Sequence, residues 1–354
     1  MGNAELDSIM QEHIEQFNNS IIELDFNKTP VGLFNGKMGI SIYFYHQAKL
    51  SRNKTYEQFA DKLLDSVYTQ IQNKWTIDLE NGLLGICWGI LHLIENGFVK
   101  GNPNYILKDL DDKIFSSIYY SLMNGKTDLK IEDLIIIVHC SLYFCKRLTD
   151  KRLSANERLL FKQLIIRSIN TIEAAVEVEK MAEPFPFSPL TYFPFIYFLL
   201  VDQVYQLDFY TYKMDKVCDE WSGRLLSSYP LLNSHRLILS YAMESVNKYN
   251  NLNSWAKHIS LLKQQTDISC IISTEFRNKN LLIHNGLSGF YILSKNKDFF
   301  NNILMNDMKK KLSTTVLWTD FNNGNEDTKL KLAGLISGLS GLILTYFEIN
   351  NRQQ

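Results

Sequence analysis

The sequence predicts an all-α chain folded as an α/α toroid (barrel) of about seven helical hairpins, with inner and outer helix layers. Three observations predict it. A short glycine phrase occurs four times, its spacing keeps a period, and the segments behind it alternate between two kinds of apolar helix. No alternating strand pattern of comparable length competes.

The phrase reads Asn35-Gly36-Lys37-Met38-Gly39-Ile40, then Asn81-Gly82-Leu83-Leu84-Gly85-Ile86. It returns as Asn285-Gly286-Leu287-Ser288-Gly289-Phe290 and as Ser337-Gly338-Leu339-Ser340-Gly341-Leu342. Gly36 and Gly82 are 46 residues apart, Gly286 and Gly338 are 52 apart, and the 204 residues between Gly82 and Gly286 hold four steps of 51. Three units without the glycines fit in that gap, near 136–143, 188–195 and 233–241. The eight glycines are therefore expected to be repeat joints. Residues without Cβ let neighbouring helices and loops crowd there.

The first unit shows the two kinds of helix. Ile40, Ile42, Tyr43, Phe44, Tyr45 and Ala48 surround a helix on nearly every side, which requires burial between layers. After a break at 51–54, Thr55-Tyr56-Glu57-Gln58 reads as a capping box. Phe59, Ala60, Leu63, Leu64, Val67 and Ile71 then form one stripe opposite Asp61, Lys62, Asp65 and Gln70. The second unit repeats the scheme, with Asn102-Pro103 as N-cap and first helical residue.

The ends complete the pattern. Residues 341–349 make an inner helix without an outer partner. Leu6, Ile9, Met10, Ile14, Phe17 and Ile21 make an amphipathic helix without an inner one. Pairing the two closes a ring, whereas an open solenoid would want polar caps at both ends. The inner helices then start on one face, where their free amides and dipole ends would form a mouth suited to a polar or anionic ligand.

Composition fits one large domain over 1–354. The chain is 45% hydrophobic with a net charge of −1, enough for a core and no electrostatic argument for nucleic acid or an anionic membrane. Cys87, Cys140, Cys145, Cys218 and Cys270 form no paired framework, and residues 1–6 carry neither a signal-peptide nor a myristoylation pattern. Reduced cytoplasmic thiols are the simplest expectation. The most apolar stretch, 185–201, holds Pro186, Pro189 and Pro194, which argues against a membrane span.

The phrases at 32–40, 82–90 and 338–341 resemble those of the lanthionine synthetase C-like proteins. The repeat extends that resemblance along nearly the whole chain. It implies an α/α toroid and a role in ribosomal peptide (lanthipeptide-type) maturation. Active members use zinc, held by two Cys and one His, to activate a substrate thiol that adds to a dehydrated Ser or Thr.

The ligand motifs depart from that pattern. The sixth joint should read Cys-His-Gly-x-x-Gly, but His284 and Asn285 stand at the Cys and His positions. The fifth should carry Trp-Cys-x-Gly, and 232–241 contains no Cys, Trp or Gly; the fourth should offer His-Gly, and 188–195 has neither. The expectation is a member with no zinc cofactor that binds a precursor peptide or a partner modification enzyme without cyclising it. Catalytic residues are unassigned, and the mouth candidates are His284, Asn285 and His235.

Two alternatives stay open. One is an active cyclase with a non-standard metal site at His284 and His235, completed by Cys270 or Asp267. The other is a protein-interaction scaffold unrelated to peptide maturation. Remaining features read as structure: His139 and Cys140 as core, the aromatic cluster over 185–198 as packing, and Lys309-Lys310-Lys311 as a solvated face. Asp78 and Glu80 are the nearest thing to the paired acids of a glycosidase. On one loop they read as solvent-facing.

Overall fold

The structure is a computed structural model that describes residues 3–71, 76–123, 129–177, 183–277, 279–296 and 302–353. Residues 1 and 2, the start of the acylation reading, lie outside them. The described residues form helices and no strand. In chain order α1 (Asn3–Ile22) leads to α2 (Lys37–Ser51), α3 (Lys54–Gln70), α4 (Leu83–Glu95), the one-turn α5 (Pro103–Ile106) and α6 (Lys108–Met123). Then come α7 (Ile131–Leu148), α8 (Ala155–Ala175), α9 (Phe193–Gln206), α10 (Thr211–Ser227), α11 (Asn233–Asn250) and α12 (Asn253–Gln264). The chain finishes with α13 (Ile268–Cys270) and a π-turn, α14 (Leu287–Ser294), α15 (Asn302–Ser313), the short α16 (Val316–Asn322) and α17 (Glu326–Leu332), and α18 (Leu339–Gln353).

The helices divide into two compact units, residues 1–100 with 269–354, and residues 101–268. In the first unit α2 packs on α3, α4 and α18, while α18 also packs on α14 and α15. Helix α2 is buried from Lys37 through Tyr45, whereas α3 buries only Ala60, Leu63, Leu64 and Val67. Gly89 of α4 leaves the space that the Met38 side chain fills, so α2 and α4 approach closely. Each large apolar side chain removed from water here contributes roughly 1.5–3 kcal/mol.

The predicted pairing of the chain's first and last helices is present. Tyr346 Oη of α18 donates to Asp7 Oδ1 of α1 at 2.6 Å, and Asn18 of α1 accepts from Tyr43 Oη of α2 at 2.7 Å. In the second unit α9 lies between α7 and α11, with α8, α10 and α12 packed against them. There Tyr197 Oη donates to Glu173 at 2.5 Å, and Tyr143 of α7 donates to Asp111 of α6. A tyrosine of a buried helix tied to an acid or amide of a half-exposed helix recurs in both units.

Several local expectations are corrected. Helix α3 is capped by Asn53, whose side chain accepts from Thr55 N–H at 2.9 Å, not by a Thr55 box, because the helix starts earlier at Lys54. The third buried helix, Ile131–Leu148, contains the 136–143 window, and Lys130 N–H ahead of it donates to Asp133 Oδ2 at 3.2 Å. The lysine run is not a solvated face. Lys309 is 3% exposed and its Nζ lies 3.0 Å from Asp7, while Lys311 donates to the Phe276 carbonyl at 2.8 Å. Packing of α1 against α15 supplies the partner that a linear reading of that run lacks.

Candidate functional site

The joints place the candidate residues. In each, the loop ahead of the helix folds back over its own first turn. Lys37, Met38 and Gly39 N–H donate to the carbonyls of Pro30, Val31 and Gly32 at 2.8, 3.2 and 3.4 Å. At the sixth joint Leu287, Ser288 and Gly289 N–H donate to Asn280, Leu281 and Leu282 at 3.1, 3.2 and 3.5 Å. These first-turn amides are therefore satisfied by backbone. The expectation of free N–H groups aimed at a ligand is corrected: the loop that brings the chain to the helix also occupies its amides.

The second glycine of each phrase is where this fold-back demands a missing Cβ. A Cβ on Gly289 would sit 2.0 Å from the Ile283 carbonyl oxygen, and one on Gly341 would sit 1.9 Å from that of Leu335. Gly39 and Gly85 meet the carbonyl six residues back in the same way. In two joints a buried serine hydroxyl adds to the fold-back, Ser288 Oγ donating to Leu281 and Ser340 Oγ to Ala333, both at 2.6 Å.

Within the first unit the joint loops are stitched to one another. His284 N–H donates to the Ile336 carbonyl at 2.8 Å, Ile336 N–H to Phe34 at 3.2 Å, and Leu33 N–H to Glu80 at 2.9 Å. This ladder links the sixth, seventh, first and second joints. It carries three buried polar atoms with no hydrogen-bond partner among the described residues: His284 Nδ1, Asn285 Oδ1 and Asn35 Oδ1. The Phe34 ring packs on His284 with centroids 5.4 Å apart. Burial holds the His284 imidazole below its usual range, with the Glu80 carboxylate pulling the other way. The result is a neutral imidazole and two amide oxygens held on a fixed backbone, a set suited to hydrogen-bond recognition.

His235 lies in the second unit, at the start of α11, and is fully buried. Its Nδ1 is 2.6 Å from Glu183 Oε1, and Ser188 N–H donates to its Nε2 at 3.3 Å. Phe187 stacks on the ring at 5.0 Å and Tyr192 packs tilted against it at 4.5 Å. Glu183 also accepts from Leu231 and Leu232 N–H at 2.7 and 3.1 Å. Burial raises the Glu183 carboxyl, and the His235 bond and the two amides outweigh it, leaving it below its usual range. Glu183 was missed in the sequence because no motif surrounds it; only the fold brings 183 beside 231–235.

The donors do not fit the zinc site that the resemblance implies. His284 Nδ1 stands beside the Asn285 amide, which is a poor zinc ligand, and both nitrogens of His235 are engaged. Among the described residues no group of three or more His, Cys, Asp or Glu is placed to hold a metal ion. None of the five cysteines forms a disulfide. Four are buried, and burial pushes the Cys140, Cys145 and Cys218 thiols up, the last to about 12. His139 shares that apolar surrounding, its imidazole lowered to about 4 by burial. Asp78 is a loop former, accepting from Asn81 and Gly82 N–H at 2.7 and 3.2 Å. In the aromatic cluster Phe187, Tyr192, Phe193, Tyr197 and Phe198 are buried, and Phe185 is 84% exposed.

No protein-family profile matches the chain, and no curated protein matches it in sequence. Among solved structures, nisin cyclase aligns over 98% of this chain and 93% of its own, with a TM-score of 0.58 and 13% identity. The fold is lanthionine synthetase C-like. It is accordingly all-α and of the α/α-toroid class. At 13% identity the likeness is one of fold. The lanthionine synthetase C-like arrangement carries the glycine joints in both end segments of this chain, while the sixth joint holds His284-Asn285. No described helix is long and apolar enough to cross a membrane.

Proposed function

We propose that this chain is a single-domain, cytoplasmic lanthionine synthetase C-like protein of ribosomal peptide maturation. It binds a precursor peptide at the joint loops without zinc-dependent thioether cyclisation. The fold shared with nisin cyclase, a protein named for acting on a peptide, supports the peptide as partner. The carrying observation is the sixth joint. Its backbone keeps the glycine fold-back, and its side chains offer His284 Nδ1 and Asn285 Oδ1 as unpartnered hydrogen-bonding atoms in place of a Cys–His ligand pair.

In this reading the ladder from His284 to Glu80 holds the loops rigid, so little ordering entropy is lost when a peptide docks. His284 accepts a peptide N–H or hydroxyl through Nδ1, and the Asn35 and Asn285 carbonyls accept backbone amides. Fluorescence anisotropy with a labelled, dehydrated Cys/Ser/Thr-rich precursor peptide tests it. Saturable binding, weakened by about tenfold in His284→Ala, is expected from the loss of one buried hydrogen bond of ~1.4 kcal/mol. Binding no tighter than to a scrambled peptide would overturn it.

A further inference from the structure

A second pair of histidines stands apart from the joints, toward the C-terminal ends of two buried helices of the first unit. His46 is seven residues after Gly39 and His92 seven after Gly85, so the repeat puts them at matching positions on α2 and α4. Their Nε2 atoms face each other at 2.9 Å, with ring centroids 5.2 Å apart. Both side chains are half-buried, so the pair is reachable from solvent. The Phe98 ring meets His46 edge-on at 4.8 Å and carries the Lys49 ammonium on its face at 5.4 Å.

We propose that His46 and His92 form a site for a divalent late transition-metal cation of tetragonal preference, Cu²⁺ or Ni²⁺, bound through both Nε2 atoms with water in the remaining positions. Ligand chemistry carries the choice. Paired imidazoles suit late divalent cations, and affinity along the first-row series peaks at Cu²⁺. The 2.9 Å Nε2···Nε2 contact is a hydrogen bond in the cation-free pair, and turning the two rings about their side-chain bonds aims both lone pairs at one cation beside it.

Proton placement is compatible. With no cation, one Nε2 carries a hydrogen and donates to the other. Asn96 Nδ2 lies 3.4 Å from His92 Nδ1, which assigns the Nε2 hydrogen to His92. On cation binding that hydrogen leaves Nε2 and His92 takes the Nδ1–H tautomer, beside the exposed Asn96, so both lone pairs face the cation. The site differs from a zinc–thiolate centre in ligand type, in geometry and in its place on the helices. It is independent of the peptide-binding reading.

Titration of chelator-treated protein with Cu²⁺, followed by electron paramagnetic resonance, tests it. One Cu²⁺ per chain is expected, with a tetragonal spectrum split by two imidazole nitrogens. His46→Gln or His92→Gln should weaken it by at least tenfold, while His284→Ala leaves it unchanged. Splitting from one nitrogen or none in the unaltered protein overturns the site without reference to any variant. Equal affinity in folded His46→Gln, checked by circular dichroism, overturns it as well.

Discussion

His235 Nδ1 lies 2.6 Å from Glu183 Oε1, and because Ser188 N–H donates to Nε2, the imidazole hydrogen must sit on Nδ1. The histidine nearest the fifth joint is thus a clamp between two loops. Glu183 holds it and also collects the Leu231 and Leu232 amides. Glu183→Ala should therefore cost about 2–3 kcal/mol, leaving two amides and an imidazole hydrogen unpaired. Urea unfolding measures it.

The same group gives a pH signature. The Glu183 carboxyl is held below its ordinary value, so its stabilisation is present above the unfolded carboxylate range and is lost as pH falls through the folded value. Glu183→Gln should flatten the acid limb of the stability curve below about pH 4.5. An unchanged limb would show that the pair contributes nothing to folding.

His139 should act at milder acidity. Burial lowers its imidazole to about 4, against Leu190 hydrogen bonding that raises it. The unfolded chain then takes up a proton near pH 6.5 that the native chain refuses, so stability falls as pH drops from about 6.5 toward 4. At pH 5 that loss is about 1–2 kcal/mol. Urea midpoints of the parent and His139→Gln at pH 7 and 5 check it. The variant should lose less between the two.

Glycine substitutions should separate joint from helix. Gly289→Ala puts a Cβ 2.0 Å from the Ile283 carbonyl and should destabilise by about 1–3 kcal/mol or more, since backbone must shift. Gly223, inside α10, has nothing within 4 Å of its added Cβ, and Gly223→Ala should stabilise by about 0.5–1 kcal/mol. Thermal unfolding of the two variants should shift in opposite directions.

The buried pair of the second unit gives a third test of packing. Arg147 Nε lies 2.9 Å from Asp111 Oδ2, Tyr143 donates to the same carboxyl, and Arg147 is 2% exposed. Asp111→Ala should cost about 3–5 kcal/mol by leaving a buried guanidinium uncompensated, while replacing both partners with apolar residues should recover most of it. A double-mutant cycle by urea unfolding reads the coupling.

What the sequence disclosed follows from what is periodic. The glycine phrase, the all-round apolar helices and the unpaired terminal helices name the fold because each repeats a local pattern, and Tyr346–Asp7 joins the ends as that pattern demands. The loop fold-back over Lys37 and Leu287 was illegible, since carbonyl direction leaves no mark on residue type. Lys309 was misread because its partner, Asp7, is some three hundred residues away in the chain. Glu183 and the His46–His92 pair were missed for the same reason: each depends on a contact between segments that are individually ordinary.

The function proposed for this lanthionine synthetase C-like fold is peptide binding without thioether chemistry. The most direct measurement incubates the purified protein with zinc and a dehydrated precursor peptide containing cysteine, then alkylates free thiols and weighs the products. The account predicts that the peptide binds saturably and every cysteine is still alkylated at the rate of the protein-free control. Thiols consumed faster than in that control, with rings mapped by fragmentation, would contradict it.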